Sequence, residues 1–186
     1  SGKYEIDMCN GPLVGKIIRF TIPLILTSVL QLLFNAADIV VVGRFAGKEA
    51  MAAVGSTGAL INLIINVLMG LSIGTSVLVA RYYGANDPER VSSAVHTSIA
   101  ISVVGGVLIG ALGIGICRPM LEIMGTPEDV IDGAELYLRI YFAGFPVIAL
   151  YNFGASVLRA VGDTRRPLYF LLIAGVVNVL MNLVCV

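Results

Sequence analysis

Long apolar stretches alternate along this chain with short polar ones. Five of the apolar stretches are long enough to cross a hydrocarbon core of about 30 Å, which takes about 20 helical residues. They cover residues 17–43, 50–80, 91–117, 136–158 and 167–186. The first is interrupted only by Arg19 near its start and by Asp38, and the second carries no charge at all. None shows the period-two alternation of membrane barrel strands, so each predicts a helix. The connections are short: "RFAGKE", "RYYGANDPER", "RPMLEIMGTPEDVIDGAE" and "RAVGDTRRP". In the third, Thr126 is placed to cap a helix and Pro127 to occupy its first position. The fold class is therefore all-α, a polytopic transmembrane helix bundle of about five helices.

Composition agrees with this reading and narrows it. The chain is 58% apolar and 13% charged, with a mean hydropathy of +0.94, whereas soluble domains are about one quarter charged. A formal net charge of zero leaves no global basic field for nucleic acid. Cys9, Cys117 and Cys185 are too widely spaced for a zinc site or a CxxC pair, and Cys117 and Cys185 read as small apolar helix residues. Neither a signal-peptide layout at "SGKYEIDMCNGP" nor a polar flank after "VVNVLMNLVCV" is present, and the chain is expected to be a piece of a longer protein.

Basic residues predict the orientation. With the N-terminus inside, the inner side holds Lys3, Lys16, Arg19, Arg81, Arg90, Arg159, Arg165 and Arg166, against Arg44, Lys48, Arg118 and Arg139 outside. That bias favours a cytoplasmic N-terminus in a plasma or inner membrane.

Polar residues inside the spans are the candidate chemistry. Thr27, Gln31, Asn35 and Asp38 fall within an arc of about 80° at 100° per residue, one polar stripe on an apolar helix. Such a stripe faces the bundle interior or a water-filled cavity. The alternative places Asp38 at the water interface, paired with Arg44 or Lys48. Pro23 on the same helix removes a backbone hydrogen bond and is a candidate bend. Asn62 and Asn66, at i,i+4 on the second helix, read as interhelical hydrogen-bonding groups. Asn152 on the fourth helix, and Asn178 and Asn182 on the fifth, are further amides, the last two candidates for lining a cavity. Gly70/Gly74 and Gly106/Gly110 have the GxxxG spacing of close helix packing. His96 reads as a hydrogen-bonded interfacial residue. The sequence contains no Ser-His-Asp set, metal cluster or nucleotide motif, so an enzyme is not expected.

Taken in order, four segments resemble the MATE family, the multidrug and toxic compound extrusion transporters: "IPLILTSVLQLLFNAADIVVVGRFAG", "AMAAVGSTGALINLIINVLMGLSIGTSVLVARYYGA", "ASVLRAVGDTRRPLY", and the Asn-x-x-x-Asn pair on the fifth helix. The resemblance implies about five helices of a six-helix N-terminal lobe, residues 1–186, in a larger twelve-helix transporter. It implies a secondary active exporter that exchanges cationic small molecules for H⁺ or Na⁺ without a cofactor. Asp38 then resembles the ion-coupling carboxylate and the possible site of Na⁺. Pro23 resembles the proline at which helix one bends, and Asn178 a polar neighbour of the acid, with Gln31, Asn35, Asn152 and Asn182 lining the cavity. Some members carry a second acid where this chain has Asn182. The partners implied are the bilayer and the missing C-terminal lobe, not nucleic acid. Burial disfavours the charged form of a carboxylate, so protonation of Asp38 can compete with a bound cation and release it. The rival readings are a lipid-linked oligosaccharide flippase of the same superfamily, which should carry more cations in its cavity, and an oligomeric channel or scaffold subunit.

Overall fold

The computed structural model describes the backbone of residues 13–41, 44 and 47–185, and the side chains of these except 47–50 and 182–185. It consists of five α-helices: α1 (Leu13–Val41), α2 (Gly47–Gly84), α3 (Pro88–Ile123), α4 (Glu128–Ala160) and α5 (Arg165–Cys185). The expected all-α bundle is the observed one. Among the described residues four helices are long and apolar enough to cross a membrane, Leu13–Val41, Met51–Gly84, Pro88–Ile123 and Glu128–Ala160. The fifth expected span ends in residues whose side chains lie outside the described set.

The helices extend well past their apolar stretches because local hydrogen bonding, not hydropathy, ends them. α2, α3 and α4 close in the same way. Asp87 N donates to Tyr82 O, Thr126 N to Leu121 O, and Asp163 N to Leu158 O, with Asn86, Gly125 and Gly162 each donating to a carbonyl three residues back. This is the Schellman closure, which needs a left-handed residue before the final donor. Asn86 (φ 53°), Gly125 (φ 72°) and Gly162 (φ 87°) supply it.

The next helix then starts at once. Asp87 accepts from Arg90 N at 3.1 Å with Pro88 at the first helical position. Asp163 Oδ1 accepts from both Arg165 N and Arg166 N at 3.1 Å, and its Oδ2 faces Arg166 Nε at 3.1 Å. The start of α4 differs from expectation. Pro127 occupies the cap position with an extended ψ of 145° and no side chain caps the helix. Thr126 is not the cap because the cap position falls one residue later, on Pro127.

α4 is the central element, packed along both α2 and α3. Its buried Leu138, Phe142, Phe145, Ala149 and Phe153 form most of the core with Leu60 and Leu68 of α2 and Cys117 and Leu121 of α3. Cys117 is buried as a small apolar residue, as expected. Glycines on α3 admit α4 closely. A methyl built on Gly106 would lie 2.8 Å from Pro146 Cα, and one on Gly110 would lie 2.7 Å from the Phe142 carbonyl oxygen. The expectation of close packing thus holds for this pair. It does not hold within the described residues for Gly70 and Gly74, where an added methyl would meet nothing within 4 Å. α1 packs along α5 and contributes little to this core; on α1 only Pro23 and Thr27 are buried.

At the end of the bundle where α3 closes, Glu135 is buried and bridges two helices. Arg118 Nη1 donates to its Oε2 at 2.7 Å and Arg139 Nη2 lies 2.6 Å from its Oε1. Arg118 also reaches Asp132 at 3.1 Å. Removing the central acceptor leaves both guanidiniums without it, so Glu135→Ala should lower the unfolding temperature of the purified protein. Glu135→Gln, which still accepts hydrogen bonds, should lose less. Equal loss from both changes would assign the effect to charge alone.

Candidate functional site

Asp38 stands one turn before the end of α1, and the contact of that helix with α5 sets its surroundings. The ring of Phe34 lies over Gly175, where any side chain would overlap it. Asp38 follows Phe34 by four residues on α1, and Asn178 follows Gly175 by three on α5. Asp38 is half-buried, and its charge acts on the phenol of Tyr137 on α4.

The helix packed along α1 at this end is α5. Sequence reasoning did not single out Tyr137, an aromatic hydroxyl inside a span, because which helix lies within electrostatic reach of the acid is not a property of either helix alone.

The rest of the polar stripe divides. Thr27 is buried, and its hydroxyl donates to the Pro23 carbonyl at 2.7 Å. That bond satisfies the hydroxyl inside its own helix, next to the proline that lacks an N–H. α1 nevertheless continues as one helix through Pro23. Gln31 and Asn35 are exposed. They do not face the interior of the five-helix bundle, because α1 is covered mainly by α5.

Asn152 is not brought to the acid. Its Nδ2 donates to Ile148 O at 2.9 Å in its own helix, and it lies fifteen residues along α4 from Tyr137, or about 22 Å at 1.5 Å per residue. Asn178 is exposed. The side chains of Asn182 and Lys48 lie outside the described residues. Arg44 is exposed, and His96 lies 2.8 Å from Ser92 O through its Nδ1, as an interfacial hydrogen-bonded residue.

Chemically, the site offers one carboxylate, aromatic rings and amides. Among the described residues no three His, Cys, Asp or Glu side chains converge on a metal position. A hard cation at Asp38 would complete its shell with neutral oxygens, and an organic cation would find both a negative charge and aromatic faces.

Comparison with known proteins decides the family. The chain matches the MatE family over residues 23–184. It belongs to that family. This MatE chain is 36% identical over 160 residues to "Probable multidrug resistance protein YoeA" of Bacillus subtilis, covering 86% of itself and 35% of that protein. It is 22% identical over 180 residues to the "FAD transporter" of Shewanella oneidensis, covering 97% of itself and 40% of that protein. A solved structure of a MOP superfamily transporter from Pyrococcus furiosus matches it with a TM-score of 0.84 at 30% identity. That match covers 90% of this chain and 37% of the other. The MatE chain thus spans between a third and two fifths of these proteins. The family is one of integral membrane transporters rather than enzymes.

Proposed function

We propose that the chain is the N-terminal lobe of a multidrug exporter in which Asp38 couples the outward movement of organic cations to the entry of H⁺ or Na⁺. The observation that carries this reading is the half-buried Asp38 in an apolar span, on a helix packed along α5. An ionised carboxylate in such surroundings attracts a cation strongly, because the low local dielectric weakens the attraction little. Binding of H⁺ or Na⁺ to the same group removes that attraction. Two ligands competing for one site, each favouring a different state of the carrier, are the thermodynamic requirement for exchange. The partner lobe, the bilayer and a cytoplasmic N-terminus complete the proposal, the last supported by the Lys and Arg bias.

A flippase is disfavoured by the fate of Arg139. It lies towards the outer end of the fourth span and is bound to Glu135 at 2.6 Å. Apart from Arg19 near the start of the first span, no other basic residue stands among the described residues of these spans to meet a lipid phosphate. The test is reconstitution of the full-length protein in liposomes with an imposed pH or Na⁺ gradient. Gradient-driven movement of a fluorescent organic cation is expected. Movement of lipid-linked phosphates, with no cation flux under either gradient, would replace this reading with the flippase.

A further inference from the structure

α2 and α3 each pack along α4 more extensively than along one another. A groove of about 440 Å³ opens between them beside their short connection, within the roughly 300–1,000 Å³ of sites that hold small molecules. Thr75, Leu78 and Tyr82 stand on its α2 wall. Arg90, Ser93, Thr97 and Ile101 stand on its α3 wall. A more open depression on α3 adds Glu89 and shares Ser93 and Thr97 with the groove.

The α3 wall changes character along its length. Glu89 and Arg90 carry charge, Ser93 and Thr97 carry hydroxyls, and Ile101 and Val104 are apolar, all of them exposed. At 100° per residue the two hydroxyls lie between the two charges on the helix surface. Ser93 stands about 5 Å and Thr97 about 10 Å along the axis from Arg90, at 1.5 Å per residue. The headgroup layer on each side of a hydrocarbon core is about 5–8 Å thick. The order of charge, hydroxyl and hydrocarbon therefore matches the phosphate, ester and acyl layers of a phospholipid in spacing as well as in kind. Bonding agrees. Thr57, Ser72, Ser98 and Ser102 each donate to a carbonyl of their own helix, whereas Thr75, Ser93 and Thr97 have no hydrogen-bond partner among the described residues.

The charges at the mouth select the headgroup. From residue 81 to 90 stand Arg81 and Arg90, Asp87 and Glu89, which sum to zero. Arg90 lies 5.8 Å over the Tyr82 ring, and its Nε is 3.2 Å from Asp87. Those contacts hold the guanidinium at the groove while using one of its five N–H donors. The Glu89 carboxylate has no ion pair among the described residues. An anionic headgroup would find the charge of Arg90 already balanced by Asp87. A zwitterion brings a phosphate for Arg90 and an ammonium for Glu89, and a primary ammonium adds the N–H donors that a choline lacks.

We propose that this groove binds an aminophospholipid of the phosphatidylethanolamine class. Its phosphate lies on Arg90, its ammonium on Glu89, its ester oxygens within reach of Ser93 and Thr97, and one acyl chain between Leu78 and Ile101. The proposal rests on membership of a family of integral membrane proteins, and not on what the transporter carries.

The experiment uses the delipidated full-length transporter in detergent. Native mass spectrometry follows titration with phosphatidylethanolamine, phosphatidylcholine and phosphatidylglycerol of identical chains, and with glycerophosphoethanolamine, which has no chains. The ethanolamine lipid should bind several-fold more tightly than the other two lipids, and the chainless analogue far more weakly than any of them. Glu89→Gln should bring the ethanolamine lipid down to the choline lipid and leave the choline lipid unchanged. Arg90→Gln should weaken both. Equal affinity for the three lipids, or tightest binding of the glycerol lipid, would overturn the proposal. So would a preference that neither variant moves, which is also the outcome if another helix covers the groove. A chainless analogue as tight as the whole lipid would make the ligand a soluble phosphoamine instead. Transport is not read, so a chain that failed as a cation exporter could keep this site, and one that exports could lose it.

Discussion

Asp38→Asn in the full-length transporter is expected to abolish the proposed ion-coupled export of organic cations, while membrane insertion and unfolding temperature stay near those of the parent. This is the largest functional effect expected from one atom pair. The amide keeps the shape of the carboxylate but can neither hold a charge nor bind a proton at working pH. A pair of unit charges about 4 Å apart at an effective dielectric of about 20 attract by about 4 kcal/mol. Losing even half of that weakens cation binding more than tenfold, since about 1.4 kcal/mol is a factor of ten. The same change removes the dependence on the pH or Na⁺ gradient. Initial rates of dye efflux from proteoliposomes, with and without each gradient, measure both. Asp38→Glu should retain part of the coupling, and Tyr137→Phe, which keeps the ring next to the acid, should retain most of the binding. Efflux by Asp38→Asn that kept its rate and its gradient dependence would remove Asp38 from the mechanism.

The largest structural effect is expected at Gly110. A side chain there meets the backbone oxygen of Phe142, which no rotamer change can move. Gly110→Leu should therefore force α3 and α4 apart and destabilise the protein by about 1–3 kcal/mol or more. Gly113 is the informative contrast, since its neighbour is the Phe142 ring. Gly113→Ala should be rescued in large part by Phe142→Leu, and Gly110→Leu should not. Thermal unfolding of the parent, the three single variants and the two doubles gives the coupling energies. Rescue of both glycine variants, or of neither, would show that the side chain and the backbone of Phe142 are not separate obstacles.

Several features of the fold and site were legible before any coordinates. The five helices follow from runs too long and too apolar for anything else, and Asp38 stands out because a lone charge in such a run has few uses. The Gly106/Gly110 spacing also reads correctly as a packing surface. The helix ends were harder to read. Each depends on which N–H reaches which carbonyl, so Thr126 reads as a cap in the sequence although the cap position falls on Pro127. The sequence also could not show that the Asn152 amide bonds to Ile148 O within α4.

What the chain's own pattern determined is the set of cylinders and the faces on which polar groups lie. Periodicity along one helix is a local property, and the bilayer's lack of hydrogen-bonding partners makes it decisive. Which faces meet was decided only by tertiary packing. Nothing in one helix specifies that α4 lies between α2 and α3 while α1 lies along α5, or that Phe34 seats on Gly175. The same packing left Gln31, Asn35, Asn62 and Asn66 exposed on the outside of the bundle. Such contacts join residues of different helices, and they are selected by how well whole surfaces fit.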